Sequence, residues 1–233
     1  MTQLIIPPGK ATGCLPRNDR CGERFPLFAE RIKVIPQDEW AGLIGTIDLS
    51  STVVEGIDQG QVGSCACAST TQALQMVRYL EGQPHELLNH EYIYHYTSGG
   101  RDNGSVIGDN IVFARDLGVA PISVWPRSHS WKETPSADAM EAAKQYKLIE
   151  SYDIATVDEI GTALLEGLPV VFGWQGHSCV LTDLLSATRA RYRNSWGDDW
   201  EDAGFGTINL SSINFSYGCH AIRTALLNVK VQP

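Results

Sequence analysis

The sequence predicts an α+β protein, helical in its N-terminal half and built on antiparallel sheet in its C-terminal half. Three observations predict it. The 233 residues are 43% hydrophobic, enough to bury one good-sized core as one main domain. Between Cys65 and Leu80 small and apolar residues return with helical spacing, so that Ala73, Met76, Val77 and Leu80 share a face. Beyond residue 168 the texture changes to short β-branched or aromatic runs cut by Gly, Asp and Asn.

Taken in order, residues 1–45 carry prolines at 7, 8, 16, 26 and 36 and no sustained periodicity, which reads as an irregular, surface-wrapping extension. It would serve as a pro-segment or as a strap, with the main domain at 46–233. The helix from Cys65 to Leu80 is stopped by Gly82 and Pro84. A second helix is expected from Asp109 as N-cap, through Ile111, Ala114 and Leu117, to Gly118, and a third over 136–146. Thr156 and Glu159 have capping-box spacing ahead of Ile160, Ala163 and Leu164, and Gly167 can close that helix in a left-handed conformation. LPVVFGW (168–174), SCVLTDLL (178–185), RARYRNSW (189–196) and GFGTINL (204–210) read as strands.

Composition removes several classes of function. A formal charge of -9 argues against a nucleic-acid-binding face, which needs clustered Lys and Arg. No run approaches the ~18 apolar residues of a membrane helix, and the opening MTQLIIPPGK lacks the apolar stretch of a secretory signal, so the chain is expected to be cytoplasmic at synthesis. Six cysteines are too few for a disulfide scaffold, and most are expected to be free thiols. Cys14 and Cys21 would close a small loop only in an oxidising compartment.

The stretch DQGQVGSCACAST, residues 58–70, carries the chemistry. A thiol at a helix N-terminus feels unpaired N–H groups and the positive end of the helix dipole, both of which favour thiolate. Cys65 stands there. Gly63 and Ser64 let the backbone approach a substrate closely, and Gln59 can swing an amide donor toward the same point, the makings of an oxyanion hole. Taken alone, Cys65 and Cys67 are equally readable as small core residues. Far downstream, GWQGHSCVL places His177 on a strand and RYRNSWGDDW places Asn194 at the end of the next. Alone, His177 would be a structural histidine and Asn-Ser-Trp-Gly a turn; with Cys65 they supply nucleophile, base and orienting amide.

On these residues the sequence resembles the papain-like cysteine peptidases. Gln59-Gly60, Gly63-Ser64-Cys65, Gly176-His177, Asn194-Ser195-Trp196-Gly197, Trp200 and Gly204-Phe205-Gly206 follow the family's order from about Asp48 to Leu210. The resemblance implies a two-lobed fold, a helical lobe and an antiparallel β-barrel or sheet lobe with the cleft between them. It implies endopeptidase action on a polypeptide by Cys65, His177, Asn194 and Gln59, without metal or cofactor and without nucleic-acid or membrane partners. Trp196 would cover the His177–Asn194 bond, and Gly104, in the turn Asp102-Asn103-Gly104, would line the cleft. An activated Cys65 would be labelled selectively among the six thiols.

There are departures. Ala66 follows the nucleophile where an aromatic is usual, and Val62 stands where many members have a disulfide cysteine. His177 follows Cys65 more closely than the ~130–150 residues of the papain and cathepsin branch, so the intervening loops are trimmed. The first 45 residues do not match the family's long helical inhibitory pro-region.

Other chemistries use parts of the same set. Cys65-Ala-Cys67 with His177-Ser-Cys179 offers four zinc-type ligands, but residues two apart on a helix point ~200 degrees apart and would not face one ion. Cys219-His220 is a second thiol and imidazole pair, without an orienting partner, and reads as structural. The same triad also serves acyl transfer of the transglutaminase type, because amine and water compete for one acyl-enzyme, and a silent papain-like assembly protein would keep the fold alone.

Overall fold

The computed structural model describes residues 3–223. The chain opens along the surface, forms β1 (Cys14–Leu15), then α1 (Phe28–Arg31) and a 3-10 turn (Gln37–Gly42), before entering the long helix α2 (Cys65–Leu80). The extension is more than a wrapping. Phe25, Phe28, Ile32 and Trp40 are all core residues, Trp40 fully buried with its indole N–H donating to the Ile35 carbonyl at 2.9 Å.

Helix α2 forms the spine. Every residue from Cys65 to Val77 is buried, which its alanines, serines, threonines and cysteines permit by letting neighbours approach on all sides. On one side it packs against α3 (His90–Thr97) and α4 (Ile107–Asp116), with α5 (Ala137–Ala143) completing the helical part; β2 (Ser105–Val106) pairs parallel with β1 just before α4. On its other side lies the sheet.

That sheet has six strands, β3 (Glu150–Asp153), β4 (Val170–Trp174), β5 (His177–Ser186), β6 (Arg189–Arg193), β7 (Phe205–Asn209) and β8 (Cys219–Arg223), in the order β3-β8-β4-β5-β6-β7 and antiparallel throughout. It is an open sheet and not a closed barrel. Helix α6 (Val157–Leu165) precedes β4, its N-cap Thr156 hydroxyl accepting from the Glu159 N–H as the spacing predicts. Gly161 on α6 faces Trp40 so closely that an added Cβ would lie 2.0 Å from the indole ring.

Two helices differ from expectation. Helix α4 starts at Ile107 because β2 runs straight into it, and Asp109 pairs with Arg24 at 2.7 Å instead of capping. Helix α5 ends at Ala143, where the α4 C-terminal turn at Gly118 comes against the Ala143 carbonyl. Cys14 and Cys21 are both free thiols, the first buried and the second exposed. No helix among the described residues is long and apolar enough to cross a membrane.

His220 lies in the middle of the sheet. Its Nδ1 is 3.3 Å from Asp153, whose carboxylate takes the Arg17 guanidinium at 3.0 and 3.3 Å and the Gly22 N–H at 2.8 Å. Burial, helped by Arg17, pushes the His220 pKa down to about 4, although Asp153 opposes the shift. The group is a clamp between the extension and the sheet.

Because Trp40 fills the space beside Gly161, Trp40→Ala is expected to cost about 3–5 kcal/mol of stability, read by denaturant unfolding. A loss under about 1 kcal/mol would show that this part of the extension is dispensable packing.

Candidate active site

Cys65 is the first residue of α2 and is 0% exposed. The backbone of Ser178 and of Gly13 lies close enough to its sulfur to favour the charged form, as does the first turn of α2 itself. Ser178 follows His177, so the start of β5 lies directly against the thiol. A second tie holds the same register, since the Ser69 hydroxyl one turn along α2 bonds the Ser178 hydroxyl at 2.7 Å.

His177 is buried, and its Nε2 meets the Asn194 Oδ1 at 2.7 Å. That oxygen also accepts from the Ser195 N–H at 2.7 Å, which orients the amide with its oxygen toward the imidazole. The other ring nitrogen, Nδ1, is buried and has no hydrogen-bond partner. Trp196 stacks on the ring at 4.5 Å between centroids and 23 degrees between planes. Trp200 in turn meets Trp196 edge-on at 5.5 Å.

Antiparallel pairing of β5 with β6 brings Asn194, the residue after β6, to the His177 side of the sheet. Arg193 secures this turn, its buried guanidinium bonding Asp198 and the Ala203 carbonyl and lying over the Phe205 ring.

Gln59 is buried beside them. Its Oε1 accepts the Ser195 hydroxyl at 2.5 Å and its Nε2 donates to the Val62 carbonyl at 2.7 Å, which uses one of the two hydrogens on that nitrogen. Gly63 N–H donates to Asp102 at 2.8 Å; Asp102 accepts the Tyr94 hydroxyl at 2.8 Å, and that hydroxyl accepts the Gly104 N–H at 3.0 Å. Asp102 and Tyr94 thus lock the two glycine loops together. The turn signal marked Asp102, but nothing in the sequence marked Tyr94, which sits on a helix that the spacing did not predict. Ser64 supplies the backbone N-cap of α2, and its hydroxyl is buried without a partner.

The cleft between helices and sheet is filled by the chain's own residues 10–15. Lys10 pairs with Asp58, the Trp196 indole N–H donates to the Ala11 carbonyl at 3.0 Å, and the N–H groups of Gly13 and Cys14 donate to the Gly176 carbonyl. The Ser105 N–H takes the Gly13 carbonyl at 2.9 Å. Gly104, at φ +90, leaves room for this approach, since an added Cβ would lie 2.2 Å from the Gly13 oxygen.

Under this cover the charged forms are disfavoured. Burial drives Cys65 up to about 12, against the bonds from Ser178 and Gly13. Burial likewise drives His177 down to about 4, against the pull of Asn194. Burial therefore favours the uncharged form of both groups while the cleft is filled, against the thiolate that a helix N-terminus favours. Cys67 points elsewhere, its thiol 3.3 Å from the Asn110 oxygen, and Cys179 lies 3.6 Å from the Asn194 oxygen. Among the described residues no group of three or more His, Cys, Asp or Glu is placed to hold a metal ion.

Solved structures share this architecture. Xylellain, a cysteine protease from Xylella fastidiosa, superposes with a TM-score of 0.72 at 21% identity, over 96% of this chain and 100% of its own. Procathepsin B S9 from Trypanosoma congolense gives 0.64 at 14% identity, over 91% and 87% of the two chains. Digestive procathepsin L 3 of Tenebrio molitor larval midgut gives 0.63 at 16%, over 76% and 69%. The chain has the fold of the papain-like cysteine proteases. No protein-family model and no curated protein sequence matches it.

A thiol held near pKa 12 reacts faster as pH rises without levelling below that value, because only thiolate is the nucleophile. Iodoacetamide is therefore expected to label exposed Cys21 before Cys65 at pH 7, reversing the selectivity the sequence suggests. Mass spectrometry of labelled peptides checks this; Cys65 labelling that saturates below pH 8 would contradict the neutral pair.

Proposed function

We propose that this chain is a papain-type cysteine endopeptidase with Cys65 as nucleophile, His177 as acid and base, Asn194 as the positioning amide and Gln59 as an oxyanion donor. One observation carries the reading: an imidazole with one nitrogen held by an amide oxygen and the other buried and unpartnered, on a strand whose next residue, Ser178, is bonded to Ser69 one turn beyond Cys65 on α2.

The chemistry follows from those positions. His177 takes the Cys65 proton and the sulfur attacks a peptide carbonyl carbon. The Gln59 amide and the Cys65 N–H stabilise the oxyanion. The C–N bond breaks as imidazolium gives its proton to the leaving amine, and water, deprotonated by His177, then hydrolyses the thioester and regenerates the thiol. Trp196 shields the His177–Asn194 bond from water, and Gly63, Ser64 and Gly104 shape the backbone around the substrate.

Residues 10–15 hold this site closed. The leaving amine must emerge beside His177 and Trp196, where Ala11 lies, whereas Leu15 pairs with Val106 on the acyl side. The segment therefore crosses the cleft in the direction opposite to a substrate. Its removal would hydrate the thiol and imidazole and relieve the burial that keeps both neutral.

Cys65→Ala is expected to abolish peptide turnover, and Gln59→Ala to lower kcat/KM about 100- to 1,000-fold, the loss typical of one oxyanion donor. Turnover of a fluorogenic peptide library by these variants checks both, and activity surviving Cys65→Ala would end the reading. At residue 13 an added Cβ would fall 2.1 Å from the Gly63 carbonyl oxygen, so Gly13→Ala cannot keep the segment seated. It is expected to raise turnover about tenfold or more. Unchanged turnover would show that the segment does not restrain the site.

A further inference from the structure

We propose that the cleft binds a lysine or arginine side chain on the leaving-amine side of the scissile bond, with Asp58 as the residue that selects it. The inference rests on the peptidase reading and names the substrate class of that same site. Beyond the outer edge of Trp196 the cleft widens into a hollow of about 480 Å³ whose walls include Asp58, Arg127, Trp196, Asp198, Asp199 and Trp200. Trp196 is the shared wall: it stacks on His177 and also borders the hollow, so a chain leaving the imidazole as an amine enters here.

The charges in the hollow are not equivalent. Asp198 is committed to Arg193, and Arg127 to Glu55 at 2.5 Å. Asp199 is exposed and, among the described residues, has no ion-pair partner. Asp58 is met by Lys10 of the covering segment, whose ammonium lies 2.7 Å from both carboxylate oxygens. Burial alone would raise the Asp58 pKa, but Lys10 and the Gly60 N–H outweigh it and hold the carboxyl below its usual range, so it is charged throughout the physiological window. When residues 10–15 leave, Asp58 loses its Lys10 partner and Asp199 has none among the described residues, beside two indoles and with Arg127 held by Glu55.

An incoming basic side chain matches that vacated place. Its alkyl stem can lie along the Trp196 and Trp200 rings and its head can replace the Lys10 ammonium, while a glutamate would face uncompensated carboxylates. The formal charge of -9 on the whole chain favours approach of the same cationic peptides.

The test uses the full chain carrying Gly13→Ala, and quenched peptides identical except for Lys, Gln or Glu at the first and second positions after the scissile bond. Lysine is expected to exceed glutamate about tenfold in kcat/KM at low salt, for one half-exposed ion pair gained and a repulsion avoided. The ratio should shrink as salt rises to about 0.5 M, and fall to about twofold in Asp58→Asn, whose folding is checked by circular dichroism. A ratio near one, or one that neither salt nor Asp58→Asn changes, overturns the proposal; if Asp58→Asn does not fold, the salt dependence decides. If no peptide is cleaved above the Cys65→Ala background, the peptidase reading fails. Binding then tests this inference separately: fluorescence polarisation with the Gly13→Ala, Cys65→Ala chain should show a peptide beginning with Lys binding more tightly than its Glu counterpart, and equal binding overturns the subsite.

Discussion

The contact of the α2 N-terminus with the start of β5 governs the rest of the structure. One element comes from the helical part and the other from the sheet, and they meet through polar groups that need each other: the Ser69 and Ser178 hydroxyls, and the Ser178 N–H on the Cys65 sulfur. In an interior that excludes water, such groups must find each other or lose the bond altogether, so the register between helix and strand is fixed within a fraction of a residue. A slip of one position along β5 would turn His177 to the opposite face of the sheet. Because the Ser69–Ser178 bond joins α2 to the start of β5, the residue after His177 is tied one turn beyond Cys65.

The same burial that gives register suppresses ionisation. Cys65 and His177 are pushed in opposite directions, each toward its uncharged form, by burial. Desolvation here outweighs the nearby backbone N–H groups, which favour thiolate. Access to water, more than local hydrogen bonding, sets the favoured protonation state here.

Much of this was legible in the sequence. Helix α2 has the bounds its spacing indicates, and β4 to β7 fall within a few residues of the four apolar runs, because strict periodicity and turn residues are local signals. The pairing of His177 with Asn194 was legible only through their order and neighbours along the chain. What escaped depended on distant partners. Helix α3 is rich in tyrosine and histidine and has no clean apolar stripe; it is stabilised by packing on α2 and by its Asn89 cap. Strand β8 is a five-residue run whose place between β3 and β4 depends on chain closure from the far end. The course of residues 10–15 could not be read because most of its bonds go to backbone groups of Gly176, Gly60 and Ser105, and its side-chain ties, Lys10–Asp58 and Trp196–Ala11, join residues far apart in sequence.

The Arg17–Asp153 clamp lies just past the segment that fills the cleft. Anything released upstream of it stays on a leash only a few residues long, so reseating is a unimolecular event that dilution cannot slow. For a short flexible tether the local concentration is on the order of millimolar. A visiting peptide must outcompete that internal rival, and weak visitors will be turned away without any change in the pocket itself.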